Sequence, residues 1–359
     1  MIAPPPPARR LVELDALRGL AALAVMLFHY TTRYTEMYPA APQPVWAVPW
    51  GHHGVELFFA ISGFVIFVTL DRSRTLADFA VSRVSRLFPA YWTAILLTSL
   101  VMLLAGQYDL LRTPAEILVN LTMLQGFLRV APVDAAYWTL SIELAFYAVM
   151  AVIWRLGLFR HIGVVLIGWL LLPWIWTYAP ALTGHTPSWL LGLLLIQAQI
   201  PWFAIGIAAY RLRLGSGGGG GWAYPVIAFA LVTIAACQGL SALWVAVPVT
   251  LVMVTVATRG LRALRWPPLV WLGTISYSLY LLHQNIGHVL IAALERRGTA
   301  PSLAIAITII VAIALAAAVS YAIERPVLHA VRHLWSRVRR RGGSPPPPLA
   351  TAPRSSPES

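Results

Sequence analysis

The sequence predicts an all-α, polytopic integral membrane protein with about ten transmembrane helices and both termini cytoplasmic, and three observations carry that expectation. Of its 359 residues, 59% are hydrophobic and only 11% are charged, where soluble domains run near a quarter charged. Mean hydropathy is +0.73, so no polar shell could cover this much apolar side chain and the bilayer must act as solvent for most of it. The basic residues, all 26 of them arginine, sit in short clusters between apolar runs, as topology determinants do. That placement accounts for the net charge of +13 without a nucleic-acid partner. The one cysteine, Cys237, lies in an apolar run, which leaves no disulfide framework and no cysteine-based metal site.

A span needs about 20 largely apolar residues. The runs that qualify are 11–32, 52–70, 80–105, 137–154, 161–178, 187–210, 222–238, 240–258, 267–292 and 301–322. The first carries Arg18 and His29 and lacks a small-residue cleavage site, so it reads as a retained span rather than a signal peptide. The sixth contains Pro201 and reads as one kinked helix or two short ones; splitting it would place the following arginines outside, so one kinked helix is expected. Thr113 to Phe127 is too short and polar to cross and reads as an interfacial or re-entrant helix. With residues 1–10 inside, one face collects Arg9, Arg10, Arg72, Arg74, Arg83, Arg86, Arg155, Arg160, Arg211, Arg213, Arg259, Arg262, Arg265 and the cluster from Arg332 to Arg341. The other face holds Arg33, Arg112, Arg129, Arg296 and Arg297. The transmembrane domain is therefore 11–328, followed by a tail over 329–359, basic and then Pro-rich and disordered. Gly215 to Gly221 has no following Gly-Lys-Ser/Thr and reads as a flexible cytoplasmic linker, not a phosphate loop.

Ionisable groups inside spans are costly and so point to function. Arg18 and His29 are eleven residues apart, about three turns plus 20°, which puts them on one face about 16 Å apart. The bland alternative is a snorkelling arginine and an interfacial histidine. Glu56 opens the second span. Ser62 and Gly63 fit a close-packing notch between helices, while His52 and His53 fit solvated side chains better than metal ligands. Arg83 and Arg86 share a helix face and are either positive-inside anchors or a phosphate clamp. Glu143 lies too deep to stand alone, so a partner such as His29 is expected. Ser141 lacks an activating neighbour in sequence and suits hydrogen bonding better than nucleophilic attack. Ser276, Tyr280 and His283 recur at four and three residues and line one polar stripe. Two layers result: Arg18, Arg83 and Arg86 toward the cytoplasm, and His29, Glu56, Glu143 and His283 nearer the outer face.

The same residues carry a family resemblance. Leu14 to Ala21 with His29, Gly54 to Phe59 leading to Ser62-Gly63-Phe64, and Arg83-Val84-Ser85-Arg86-Leu87-Phe88-Pro89 resemble successive blocks of the membrane-bound acyltransferase-3 family. Trp138 to Glu143, with Thr139 in place of the usual serine, Ile275 to His283, and Glu324-Arg325-Pro326 are similar to the remaining blocks. The resemblance spans nearly all of 11–328. It implies ten spans and O-acylation of a glycan from acyl-CoA, usually acetyl-CoA, as co-substrate with no bound cofactor. By the same resemblance Arg18, His29, Arg83, Arg86 and Glu143 matter for function; in a departure from some relatives, no hydrolase-like domain is expected after the last span.

A thioester is already activated, so the enzyme has mainly to deprotonate a sugar hydroxyl. A neutral histidine with an ordinary pKa of about 6.5 suits that role, worth roughly 10²–10⁴ in rate, and Glu143 is expected to orient it. The partners expected are acyl-CoA, a glycan or lipid-linked glycan acceptor, and lipids of a bacterial cytoplasmic (inner) membrane. A homo-oligomer is compatible with such a chain. The competing reading is a transporter or flippase for a lipid-linked glycan, which predicts inverted repeats that the sequence does not display.

Overall fold

A computed structural model describes residues 11–215 and 220–341, and every regular element among them is helical. Arg9 and Arg10, most of the glycine run and the Pro-rich tail lie outside the described residues. The chain opens with α1 (Val12–Phe28), which continues through a π-helical turn, His29–Arg33, into α2 (Tyr34–Met37). Next come α3 (Gly54–Asp71), α4 (Leu76–Leu104), α5 (Pro114–Leu121) and α6 (Trp138–Arg155). The middle of the chain forms α7 (Ile162–Leu170), α8 (Leu172–Thr183), α9 (Trp189–Leu194), α10 (Ile200–Arg213), α11 (Ala223–Gln238) and α12 (Leu243–Thr258). It closes with α13 (Pro267–Leu282), α14 (Gln284–Glu295), α15 (Pro301–Val319) and α16 (Arg325–Arg341).

Each of the ten apolar segments is thus helical for most of its length. Six stretches are long and apolar enough to cross a membrane: Pro49–Asp71, Leu76–Leu104, Ala135–Arg155, Leu158–Thr183, Leu240–Thr258 and Pro301–Arg339. Their outward faces carry exposed leucines, such as Leu96, Leu100, Leu103 and Leu104 on α4, which only lipid would solvate well. The protein is a multi-pass membrane protein. The other segments fall short for physical reasons. Glu13, Asp15 and Arg18 load the first with charge, α11 is only 16 residues long, and the ninth bends at His283 between α13 and α14.

The segment 187–210 corrects an expectation. It is not one kinked helix but two, α9 and α10, joined by a turn in which Ile196 takes φ +47° and Gln197 N–H returns to the Gly192 carbonyl at 2.9 Å. Pro201 sits in the first turn of α10, where its missing N–H leaves no bond unmade. From Ile200 to Tyr210 α10 is buried on every side, so it is a central post rather than a lipid-facing rod. The start of the tail corrects another. Residues 329–341 continue α16, strongly amphipathic, and α16 docks on α4 through Asp78 Oδ1, which accepts from Trp335 Nε1 at 2.8 Å and pairs with Arg339 at 2.9 Å.

Two close helix pairs form the frame. A Cβ on Gly273 of α13 would collide with the Asp15 carbonyl of α1, and one on Gly63 of α3 with the Phe203 carbonyl of α10. Gly206 meets Ala60 in the same way. Small residues let backbones approach where lipid supplies no hydrophobic drive between helices. Gly63 is therefore the packing notch, and it leaves Ser62 free to face another helix. The segment expected to be an interfacial or re-entrant helix contains α5, with a capping box between Thr113 and Glu116. The Thr113 backbone amide holds the Glu116 carboxyl below its ordinary range. Buried Asn120 ties α5 to the returning chain, donating to the Ala131 carbonyl and accepting from Val133 N–H, both at 3.0 Å.

Candidate active site

Three cavities succeed one another through the bundle. The widest, about 620 Å³, opens at the end where the arginines gather and is lined by Arg18, Arg72, Arg83, Arg86, Arg213, Arg325 and Arg332. It shares Arg18, Val65, Arg83 and Arg86 with a neck of about 70 Å³, to which Ser62, Glu143, Tyr147, Ser276 and Tyr280 also contribute. The neck in turn shares Val55, Phe59 and Tyr280 with a chamber of about 500 Å³ containing His29 and Glu56. Tyr280 stands at the join. Its hydroxyl donates to the Ala136 carbonyl at 2.9 Å and lies 2.9 Å from Thr139 Oγ1.

Arg83 and Arg86 reach the neck because three residues on α4 return a side chain to the same face. Arg83 NH2 donates to Ser82 Oγ at 3.1 Å, and its Nε is buried with no partner. Glu143 faces the same space. Its Oε1 accepts from Tyr147 one turn on and from Ser62 of α3 at 3.3 Å, and it lines the neck together with Arg18, Arg83 and Arg86.

The expected pairing of Glu143 with His29 is therefore absent among the described residues. A carboxylate near three guanidiniums gains more from them than it would from a neutral imidazole. Glu143 belongs with the cationic layer, and the histidine has a different neighbour.

His29 begins the π-helical turn. Such turns insert a residue and re-aim side chains. His29 Nδ1 lies 2.8 Å from the Val25 carbonyl and 3.1 Å from His283 Nε2. A carbonyl can only accept, so Nδ1 carries the proton and Nε2 keeps its lone pair. His283 Nδ1 in turn donates to the Tyr280 carbonyl at 2.8 Å, which leaves its Nε2 free to accept from His29. His288 Nε2 supports the backbone of the same turn at the His29 carbonyl, 3.0 Å away, and Tyr30 hydroxyl donates to the His283 carbonyl at 2.8 Å.

The remaining candidates separate. Glu56 lines the chamber with His53 3.4 Å from its Oε1. Ser141 is buried, donates to the Met123 carbonyl at 3.4 Å and packs against Gly126, away from all three cavities. Ser276 lines the neck but donates to its own helix at Gly273. Ser278 holds Glu324 Oε2 at 2.9 Å, and Arg325 donates to Thr274 at 2.7 Å, so the closing Glu324-Arg325-Pro326 block latches α16 to α13. Sequence reasoning missed Tyr147 and Arg332. The i, i+4 spacing from Glu143 signals the first. For the second, the signal is the recurrence of Leu328, Val331, Trp335 and Val338 at three and four residues, which marks a helix where a tail was expected.

A basic mouth, a neck that carries Glu143 among its arginines, and a chamber that contains His29 thus form one continuous run of cavities. The chain belongs to the family described as acyltransferase domain, whose model matches residues 11–323. It is 29% identical over 313 residues to the exopolysaccharide production protein ExoZ of Rhizobium meliloti (strain 1021), covering 79% of this chain and 93% of that one. It is 26% identical over 315 residues to nodulation protein 10 of Rhizobium leguminosarum bv. viciae, covering 78% and 84%. Against the acyltransferase MdmB of Streptomyces mycarofaciens the identity is 26% over 314 residues, covering 78% and 79%. No solved structure matches.

Proposed function

We propose that this acyltransferase moves an acyl group, acetyl in the simplest case, from acyl-CoA to a glycan hydroxyl at a bacterial cytoplasmic membrane. The observation that carries the reading is the run of three cavities from clustered arginines to His29. Arginine asymmetry supports the orientation, with the basic mouth and both termini inside and ten spans in all. The name of ExoZ, an exopolysaccharide production protein, supports a glycan acceptor over the transporter reading.

In this mechanism Arg83 and Arg86 hold donor phosphates at the mouth, and the thioester arm extends through the neck. His29 Nε2 takes the proton of the acceptor hydroxyl as its oxygen attacks the thioester carbonyl. The imidazolium keeps its Nδ1–H on the Val25 carbonyl and His283 Nε2, which stabilise the charge. Collapse of the tetrahedral intermediate breaks the C–S bond, and the proton passes from His29 to the departing thiolate. The products are an O-acylated glycan and free CoA thiol. Glu143 serves the donor side, offsetting the three guanidiniums so that an empty neck is not a bare cluster of like charge.

The test uses the full chain in membranes with radiolabelled acetyl-CoA and glycan extracted from cells that lack the protein. Label should enter the glycan with the wild type and not with His29→Ala. Equal incorporation by both would remove His29 from the mechanism.

A further inference from the structure

The basic mouth has a side lobe with no part in the transfer steps above. A cavity of about 380 Å³ lies between the start of α1 and the ends of α10 and α12, and its lining includes Glu13, Arg213, Arg259 and Arg265. It shares Leu11 and Arg213 with the mouth, so Arg213 stands on the divide between the two. Two of its arginines are held from behind. Glu13, 2% exposed, accepts from Arg265 Nε on its Oε1 at 2.7 Å, yet the Arg265 side chain is 57% exposed. The pair uses Nε, so the two terminal nitrogens of the fork remain as donors. Arg213 NH1 donates to the Ala257 carbonyl at 3.4 Å. Gly260 makes room for the lock: its φ is +73°, and a Cβ there would meet Arg265 NH2 at 3.1 Å and Glu13 Oε1 at 3.2 Å. An arginine that merely marks the inner face needs no buried carboxylate behind it, and desolvating one is costly.

We infer that this lobe takes a phosphomonoester, the 3′-phosphate of the CoA nucleotide. This rests on the acyl-transfer reading above and narrows it: the donor is a CoA thioester, not a thioester on the phosphopantetheine arm of a carrier protein. Three guanidiniums against one carboxylate leave an excess of two positive charges in the lobe. A phosphomonoester carries about −1.5 to −2 at pH 7 and matches that excess. A phosphodiester, such as the headgroup phosphate of phosphatidylglycerol, carries a single negative charge and matches it less well. CoA presents its phosphates in two places, the pyrophosphate at the head of the pantetheine arm and the 3′-phosphate across the ribose. Two cationic cavities that meet at Arg213 repeat that division: Arg83 and Arg86 serve the pyrophosphate from the mouth, and Arg259 and Arg265 serve the 3′-phosphate from the lobe. Glu13 is a positioning residue, since it holds the Arg265 fork and does not touch the ligand. A carrier-protein arm ends in a phosphodiester and brings no phosphomonoester, so it leaves the lobe empty.

The test sets acetyl-CoA beside acetyl-3′-dephospho-CoA, which lacks only that phosphate, as donors for the full-length enzyme in membranes, with glycan extracted from cells lacking the protein. The wild type should half-saturate with the dephospho donor at a concentration roughly 10- to 100-fold higher, as expected for lost charge-assisted contacts. In Arg259→Gln and in Arg265→Gln that gap should narrow roughly tenfold, because acetyl-CoA loses a contact that the dephospho donor never makes. Arg265→Gln leaves Glu13 buried without its cation, so a second variant carries Glu13→Gln as well. Loss of folded enzyme lowers the maximum rate with both donors and leaves the ratio of half-saturations as it was, which makes that ratio the readout. Equal half-saturation by the two donors in the wild type overturns the inference. So does a gap that persists in full in both Arg259→Gln and the paired Arg265→Gln, Glu13→Gln variant, which would leave these arginines to lipid phosphates or to topology. No label transferred from either donor by the wild type would instead sink the acyl-transfer reading, and this inference with it.

Discussion

The two ends of the cavity run solve the problem of recognition in opposite ways. At the basic mouth seven arginines converge, and the space is wide. Attraction there is long in range and loose in geometry. In the His29 chamber the groups are largely neutral, and each histidine is committed to a tautomer by a carbonyl at 2.6 to 2.8 Å. Recognition there is short in range and depends on direction. Charge suits a ligand defined by its phosphates, and directed acceptors suit one defined by the arrangement of its hydroxyls. The neck, with Glu143 and Tyr280 on its walls, is where one regime gives way to the other.

Substitutions can break this contrast or sharpen it. The largest effect is expected at the chamber. His29→Ala should lower turnover by roughly 10²–10⁴ while equilibrium binding of acetyl-CoA, read by isothermal titration, stays near wild type. Lost donor binding would mean that the two ends are not separate. Next come Arg83→Ala and Arg86→Ala, each expected to raise acetyl-CoA half-saturation roughly 10- to 100-fold, in line with losing a charge-assisted hydrogen bond. Lysine at either position should rescue incompletely, because it offers a point charge instead of a planar fork. Glu143→Gln decides where the boundary lies. It should change acetyl-CoA half-saturation by roughly tenfold, one charge-assisted contact, with glycan half-saturation untouched; the reverse pattern would return Glu143 to the histidine. The smallest effect is expected of Arg332→Ala on α16. It should weaken acetyl-CoA use by roughly two- to fivefold, as partly exposed charges do, and the difference should shrink as salt is raised.

The helices were legible because apolar length is a one-dimensional signal. What the sequence could not convey was which faces meet. Glu143 and His29 were both assigned to one layer, yet α6 turns Glu143 toward Ser62 and the arginines, while His29 turns toward α13 and His283. That choice is made by the glycine crossings of α1 with α13 and of α3 with α10, which are tertiary facts. Pro201 was ambiguous for a related reason: a proline reads the same whether it kinks a helix or starts one, and the turn at Ile196 that decides it leaves no pattern. Charge density hid α16, since arginines spaced for a helix look like a solvated tail until the apolar spacing between them is counted.

The two π-helical turns, His29–Arg33 and Ser320–Glu324, occur at opposite ends of the cavity run, each beside a motif that helps to build it. In a regular α-helix the azimuth of every residue is fixed by the residues before it, so a rod that packs well along its length has no freedom left at its tip. One surplus residue in a turn shifts that phase. The lower part of the first rod keeps its seam against α13 while the tip is clocked independently, bringing His29 to His283. The same offset in α15 lets its seam run unbroken while Glu324 swings to Ser278. Packing and chemistry are thereby indexed separately along a single helix, as two cams can be keyed at different angles on one shaft.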